Sequence, residues 1–377
     1  MIKMKNMKTD DEYYEYFKKT RNIQDSTLRT YHIAIQEYCQ YHQLTLHELL
    51  TEAETEEEQG IRWKHRTLKK RLLEYRAYLH QTHAKSTART RFIRVKAFYH
   101  HFDIEIHRLP PITDNTPMKR NKPSDLPSKK ELRQTLKICK PVMRPLILFM
   151  TSSGCAKKET LSLTIQDYIN ATEKYHNGGT IKEIIETLEE TSDVVPVWEI
   201  LRHKTHKYYT TFNTPEATHE INLYLKQRKD HLTPESRLFR INETYLVDTF
   251  TRLNKALNLG KSGTYNKLRS HTLRKWHAST LMNDGMSREL VNDLQGKNKN
   301  ITDTAYFYND ETHLLQEYSK HIPALTIMAD VEKITIKSKE FLELENKNQE
   351  LEGSIRDMWH RIESLENITW EDVKKEY

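Results

Sequence analysis

Glycine is scarce, with 9 residues in a chain of 377. That disfavours folds whose phosphate sites are glycine-rich turns, and no GxxxxGK[ST] run is present. The same scarcity favours helix. Cysteine is rarer still. Cys39, Cys139 and Cys155 lie far apart and form neither a CxxC pair nor a zinc spacing. So sparse and odd a set fits a reducing interior better than a disulfide framework, and reads as small buried side chains. Long apolar runs are missing. The longest, Leu146–Met150, has five residues, whereas a membrane span needs about 20; no membrane partner is expected. The opening MIKMKNMKTDDEYYEYF is charged and has no apolar stretch of the kind secretion signals carry. Metal-ligand sets are also absent. The pairs His80/His83, His100/His101 and His203/His206 have no matching Cys/His/acid partner set nearby, and no metal or other cofactor is expected.

What remains is a polar, basic chain. Its 36% apolar content sits below the roughly 45–50% of average globular usage, and the net charge is +7. The distribution is more telling than the total. Residues 61–100 hold 12 Lys or Arg and a single acid, Glu74, whereas residues 51–60 hold five Glu and no base. Such a block is how a surface facing a polyanion reads, and equally how a solvated helix face reads.

The chain divides into four stretches. Residues 1–108 read as a bundle of helices. Tyr31, Ile35 and Tyr38 form one stripe, and Leu68, Leu72, Tyr75 and Leu79 another. Ser86-Thr87 reads as an N-cap for a third helix striped by Phe92, Val95, Tyr99 and Phe102. Arg66, Lys69, Lys70, Arg89, Arg91, Arg94 and Lys96 give this bundle its basic side. Residues 109–127 hold five prolines and read as an extended basic linker. From Ser128, with Glu131 three residues on as a capping box, residues 128–328 read as mixed α/β. The β-rich runs DVVPVWEI and YYTTF around RHKTHK predict a hairpin with a basic turn. In the tail, 333–368, Phe341, Leu344, Asn348, Leu351, Ile355, Met358, Ile362 and Leu365 repeat at 3-4 spacing. That is a coiled-coil seam with one core Asn, or a helix packed on its own domain.

The chemistry concentrates around His271-Thr272-Leu273-Arg274. HxxR puts an imidazole and a guanidinium on one helical turn, a pair suited to phosphate oxygens. Its surroundings, SHTLRKWHASTLMNDGMSRELVNDLQGKNKNITDTAYFY, resemble the tyrosine recombinase (phage integrase) family, with its HxLRHxxATxL, a following Gly, LLGH and a late Tyr. Upstream, TSSGCAKKETLSLTIQDY (151–168) resembles the family's TGLRxSELLxLxxxD box through Gly154, Glu159, Leu161, Leu163 and Asp167. The resemblance covers about residues 20–325. The insertion around 170–193 and the EYxKHxPALTI ending look archaeal-type.

The resemblance implies a mainly α, multidomain fold. A helical SAM-like core-binding domain precedes a mixed α+β catalytic domain with a small β-sheet, and a C-terminal coiled-coil helix follows. It implies a mobile-element recombinase that cuts and rejoins double-stranded DNA through a 3′-phosphotyrosyl link, without metal or ATP. Two domains would clamp the duplex, and protomers would assemble as a dimer or tetramer, in the cytoplasm at the nucleoid. Tyr306 falls at the nucleophile's register, with Tyr308 as the alternative. Arg274 and His271 would hold the non-bridging oxygens, and Lys204, in the hairpin turn, would be the general acid. Two positions depart from the pattern: Ala156 with Lys157 stands where the family has its first Arg, and Lys297 where it has a late His or Trp. Lys157 and Lys297 would then complete the cation set. The alternative is a catalytically impaired, DNA-binding descendant that dimerises through its tail.

Overall fold

In a computed structural model of the chain, residues 9–112, 122–297 and 310–328 are described. They fall into two compact units that divide between Met118 and Lys119. The described residues are mainly helical.

The described residues of the first unit form five α-helices, α1 (Asp10–Arg21), α2 (Asp25–His42), α3 (Leu46–Glu58), α4 (Thr67–Thr82) and α5 (Lys85–His101), with a 3-10 turn at Trp63–His65. Capping boxes start α1 at Thr9/Glu12 and α3 at Thr45/Glu48, each satisfying donors the helix leaves open. The predicted stripes meet in one aromatic core. Tyr38 packs edge-on against Tyr75 at 4.9 Å and Tyr99 at 6.0 Å. The Tyr75 hydroxyl is buried and donates to Ala34 O and Glu37, which is why a polar-tipped ring is tolerated there. One expectation is corrected: Ser86 and Thr87 do not cap α5. The helix starts at Lys85 from an extended Ala84 with no side-chain cap, so both residues lie inside its first turn.

The acidic run of α3 and the basic run of α4 turn out to be neighbours. Arg71 makes a forked pair with Glu52 at 2.9 and 3.3 Å, and Glu56 accepts from the Thr67 amide. Part of the charge block is therefore spent inside the bundle.

The second unit is built round α7 (Met143–Ser153), a helix buried on nearly every side. Around it lie α6 (Lys129–Ile138), α8 (Lys157–Ser162), α9 (Ile165–Ala171), α10 (Ile181–Glu190), α11 (Pro215–Gln227), α12 (Glu243–Ala256), α13 (Ser270–Asn283), α14 (Arg288–Leu294), α15 (Glu311–Lys320) and α16 (Ile322–Leu325). The predicted Ser128/Glu131 box opens α6. The insertion after residue 170 holds α10, whose Ile184, Ile185 and Leu188 are buried. The predicted hairpin is β1 (Val197–Arg202) antiparallel to β2 (Lys207–Phe212), in register from Val197↔Phe212 to Arg202↔Lys207. It begins after Pro196, which has no amide for the ladder. A second short ribbon pairs β3 (Lys261–Ser262) with β4 (Tyr265–Asn266).

The end of α7 pins this unit together. A helix leaves its last carbonyls unpaired, and here three other elements supply the donors. Tyr318 of α15 donates to Ser152 O at 3.0 Å, Thr211 of β2 to Ser153 O at 2.8 Å, and Arg274 of α13 to Gly154 O at 2.6 Å.

Candidate active site

Arg274 lies one turn into α13 and is 8% exposed. Its Nη1 donates to Gly154 O and its Nη2 to Gln295 O at 2.5 Å. Both acceptors are helix-terminal carbonyls, where the negative end of the helix favours a cation. Gly154 is left-handed at φ 67°, and a Cβ there would meet His277 Nδ1 at 2.5 Å. The glycine of the box is thus fixed by backbone hand and by the ring beside it.

The Gln295 carbonyl is presented by the way α14 ends. Lys297 N donates to Asn292 O and Gly296 N to Asp293 O, a Schellman closure with Gly296 at φ 55°. The Gln295 carbonyl accepts two guanidinium groups: Arg274 Nη2, and Arg202 Nη1 from the end of β1 at 2.6 Å. The buried Glu159 lies between them, 3.9 Å from Arg202 Nη1 and 3.8 Å from Arg274 Nη1. Glu159 also accepts from the Ala156 amide at 2.8 Å and from the Tyr209 hydroxyl at 2.9 Å. Burial holds the Tyr209 phenol well above its ordinary value, so it stays a donor.

Positive charge is in excess here. Lys297 follows directly on Gly296. Its ammonium is pushed down by partial burial and then by Arg274, Arg288 and Arg202. His271, at the start of α13, is pushed down by partial burial and then by Lys275, Arg269, Arg274 and Lys297. That so many basic groups bear on Lys297 and His271 marks a region where positive charge outweighs the carboxylates of the described residues. A 14-residue helix also opens on that region with its unpaired amides. Such a site suits an anion.

Beneath it, His277 is fully buried. Gln295 Nε2 donates to its Nδ1 at 3.1 Å and to Arg274 O at 2.9 Å. Burial, with Arg274 and Lys297 adding to it, pushes the imidazole down to about 3. It is a neutral spacer that sets the position of Gln295.

The structure brings His271, Arg274 and Lys297 together. Lys157 is elsewhere engaged: its Nζ lies 2.5 Å from Glu243 on α12. Lys204 is exposed in the turn joining β1 and β2. Tyr306 and Tyr308 lie outside the described residues, as does the seam of 341–365. In the first unit Arg89 and Lys70 are exposed, whereas Arg66 is buried with its Nη1 on Glu57 at 3.0 Å and its Nε on Ile61 O. Arg91 pairs with Glu37 and lies 2.8 Å from His83. Arg94 and Lys96 lie over the rings of Tyr31 and Phe92, at 6.0 and 5.7 Å, and Lys69 is half-buried. Sequence reasoning missed Arg202, Gln295 and His277. Only the second histidine in HTLRKWH gave any signal, a polar residue on the buried face of α13.

The chain is similar to solved recombinases and to a transposon integrase. XerA recombinase aligns over 82% of this chain and 96% of its own, at 15% identity and a TM-score of 0.33. XerH site-specific recombinase, bound to difH substrate in a pre-cleavage complex, aligns over 83% and 84%, at 16% identity and 0.46. The Tn1549 transposon integrase, in complex with transposon right end DNA, aligns over 83% and 99%, at 16% identity and 0.47. No family model matches the sequence, and no curated protein does. Among the described residues no helix is long and apolar enough to cross a membrane, and no group of metal-ligating side chains gathers.

Proposed function

We propose that the chain is a site-specific DNA recombinase or integrase that breaks and rejoins a phosphodiester through a tyrosyl link. The observation that carries this is the basic cluster at the start of α13, where Arg274 and Lys297 bear on the neutral His271 imidazole and outweigh the carboxylates of the described residues. In-line cleavage with a side-chain nucleophile needs fixed donors for the charge that grows on the non-bridging oxygens. Arg274, already clamped by Gly154 and Gln295, would supply them without reorganising.

Tyr306 would attack phosphorus through its phenolic oxygen. It lies nine residues beyond Lys297, a span that reaches at most about 30 Å. The phenolic proton would pass to His271, whose lowered value keeps the imidazole neutral and able to accept it. The 5′ oxygen would leave with a proton from Lys204. The phosphotyrosyl ester keeps the energy of the broken bond for rejoining. Exposed basic residues of the first unit, Arg89 and Lys70 among them, would contact the phosphate backbone. Protomers would assemble on DNA, since strand exchange needs two duplexes, and residues 341–365 would supply the pairing seam.

The test is covalent trapping on a nicked suicide duplex. A protease-sensitive adduct is expected with the wild-type chain and none with Tyr306→Phe; equal adducts from both would remove Tyr306 from the role. The second reading, a DNA-binding descendant without cleavage, draws on Ala156 at the first-arginine position. It predicts tight duplex binding and no adduct.

A further inference from the structure

We propose that Arg202 supplies the second phosphate-binding guanidinium of this site, from the β-hairpin rather than from the position two residues after Gly154. The inference rests on the cleavage reading above. Ala156 occupies that position, and a methyl group holds no phosphate. Lys157 beside it is taken by Glu243.

Arg202 is placed where a substitute must be. Its Nη1 and Arg274 Nη2 donate to the same Gln295 carbonyl oxygen at 2.6 and 2.5 Å. The two nitrogens therefore lie within about 5 Å of each other, a spacing fixed by two hydrogen bonds to one acceptor. The same Glu159 carboxylate lies near both. Among the described residues, one carboxylate for two guanidinium groups leaves a positive charge unbalanced in a half-buried place. An assembly built only to hold the hairpin would gain nothing from that excess.

The contacts of Arg202 also fall on one side. Its hydrogen bond and its ion pair both use Nη1. Its Nε is buried and has no hydrogen-bond partner, and no described residue accepts from Nη2. The Nε–Nη2 edge is the fork that binds two oxygens of a phosphate. Nη2 is the donor left open to a non-bridging oxygen of the scissile phosphate, and a small rotation of the side chain would bring the unpaired Nε to a second one.

The experiment uses full-length wild type, Arg202→Ala and Arg202→Lys. The substrate is a nicked duplex recovered by covalent capture with wild type from fragmented DNA of its own source. Each protein is also given the same duplex with a methylphosphonate at the scissile position, which removes the charge that the guanidinium would neutralise. Arg202→Ala is expected to cleave the phosphate about 10²–10³-fold more slowly and to recover most of that loss on the methylphosphonate. Arg202→Lys keeps a charge and a donor for Gln295 but lacks the fork, and is expected to be at least about tenfold slow on the phosphate. A wild-type rate in either variant overturns the assignment. So does equal loss on both esters by a folded variant, because a residue that only braces the hairpin is not rescued by removing charge from the substrate. If Arg202→Ala does not fold, the lysine variant decides alone. If wild type captures no DNA at all, the cleavage reading itself fails, a result distinct from failure of the arginine.

Discussion

His277 shows how a single buried side chain sets a pH limit. Its value when folded is about 3, well below the ordinary 6.5, so between these values the unfolded chain holds the extra proton. Stability is therefore fully present above about pH 6.5 and drains away as the pH falls toward about 3. Within that window each pH unit costs up to about 1.4 kcal/mol. Urea midpoints at pH 7.5 and 5.5 should show this loss, and His277→Gln, which keeps an acceptor for Gln295, should lose much of it. An unchanged slope in the variant would move the acid sensitivity to another group. At this scale the sequence was half legible. His271 and Arg274 stand three apart in one motif, and Glu159 and Gly154 in another. Arg202 belongs to neither, because only hairpin closure carries it to Gln295. Lys157 stands next to Ala156 in the chain, whereas the guanidinium beside Arg274 comes from 46 residues beyond Ala156.

At the scale of elements, the closure of α14 determines what the arginines can reach. Gly296 is left-handed, and a Cβ on it would enter the root of the Tyr209 ring. Gly296→Ala should therefore cost about 1–3 kcal/mol in backbone strain and a similar amount in overpacking, while turning the Gln295 carbonyl away from both guanidinium groups. Thermal melting and the rate of adduct formation should fall together; a variant as stable as wild type would mean that β2 yields without cost. Elements with a local signal were readable: the hairpin from two β-rich runs round a basic turn, α6 from its capping box, and the stripes of α2 and α4. Caps without a polar signature were not. α5 starts from Ala84, and α7 begins two residues before Pro145, which sits in a first turn that needs no amide from it. Nor does a sequence show that α3 faces α4, which is what takes Arg66 and Arg71 out of the basic surface.

At the scale of the whole molecule, each unit has its own core. The proposed assembly on DNA is assigned to the tail beyond them. A chain ending at residue 332 should keep single-site cleavage and lose higher-order complexes on DNA, as read by light scattering; complexes of unchanged size would assign assembly to the two units themselves. The Gln295 carbonyl bears on the whole chain in another way. The atom that holds two arginines belongs to the main chain, so any amino acid at that position provides it. Side-chain replacement cannot delete it, and exchanging the 295–296 amide for an ester would be the direct way to weaken it. Selection acting on such an atom leaves little trace in the letters. A chain whose central anchor is written in backbone can change its residues widely and still close the clasp.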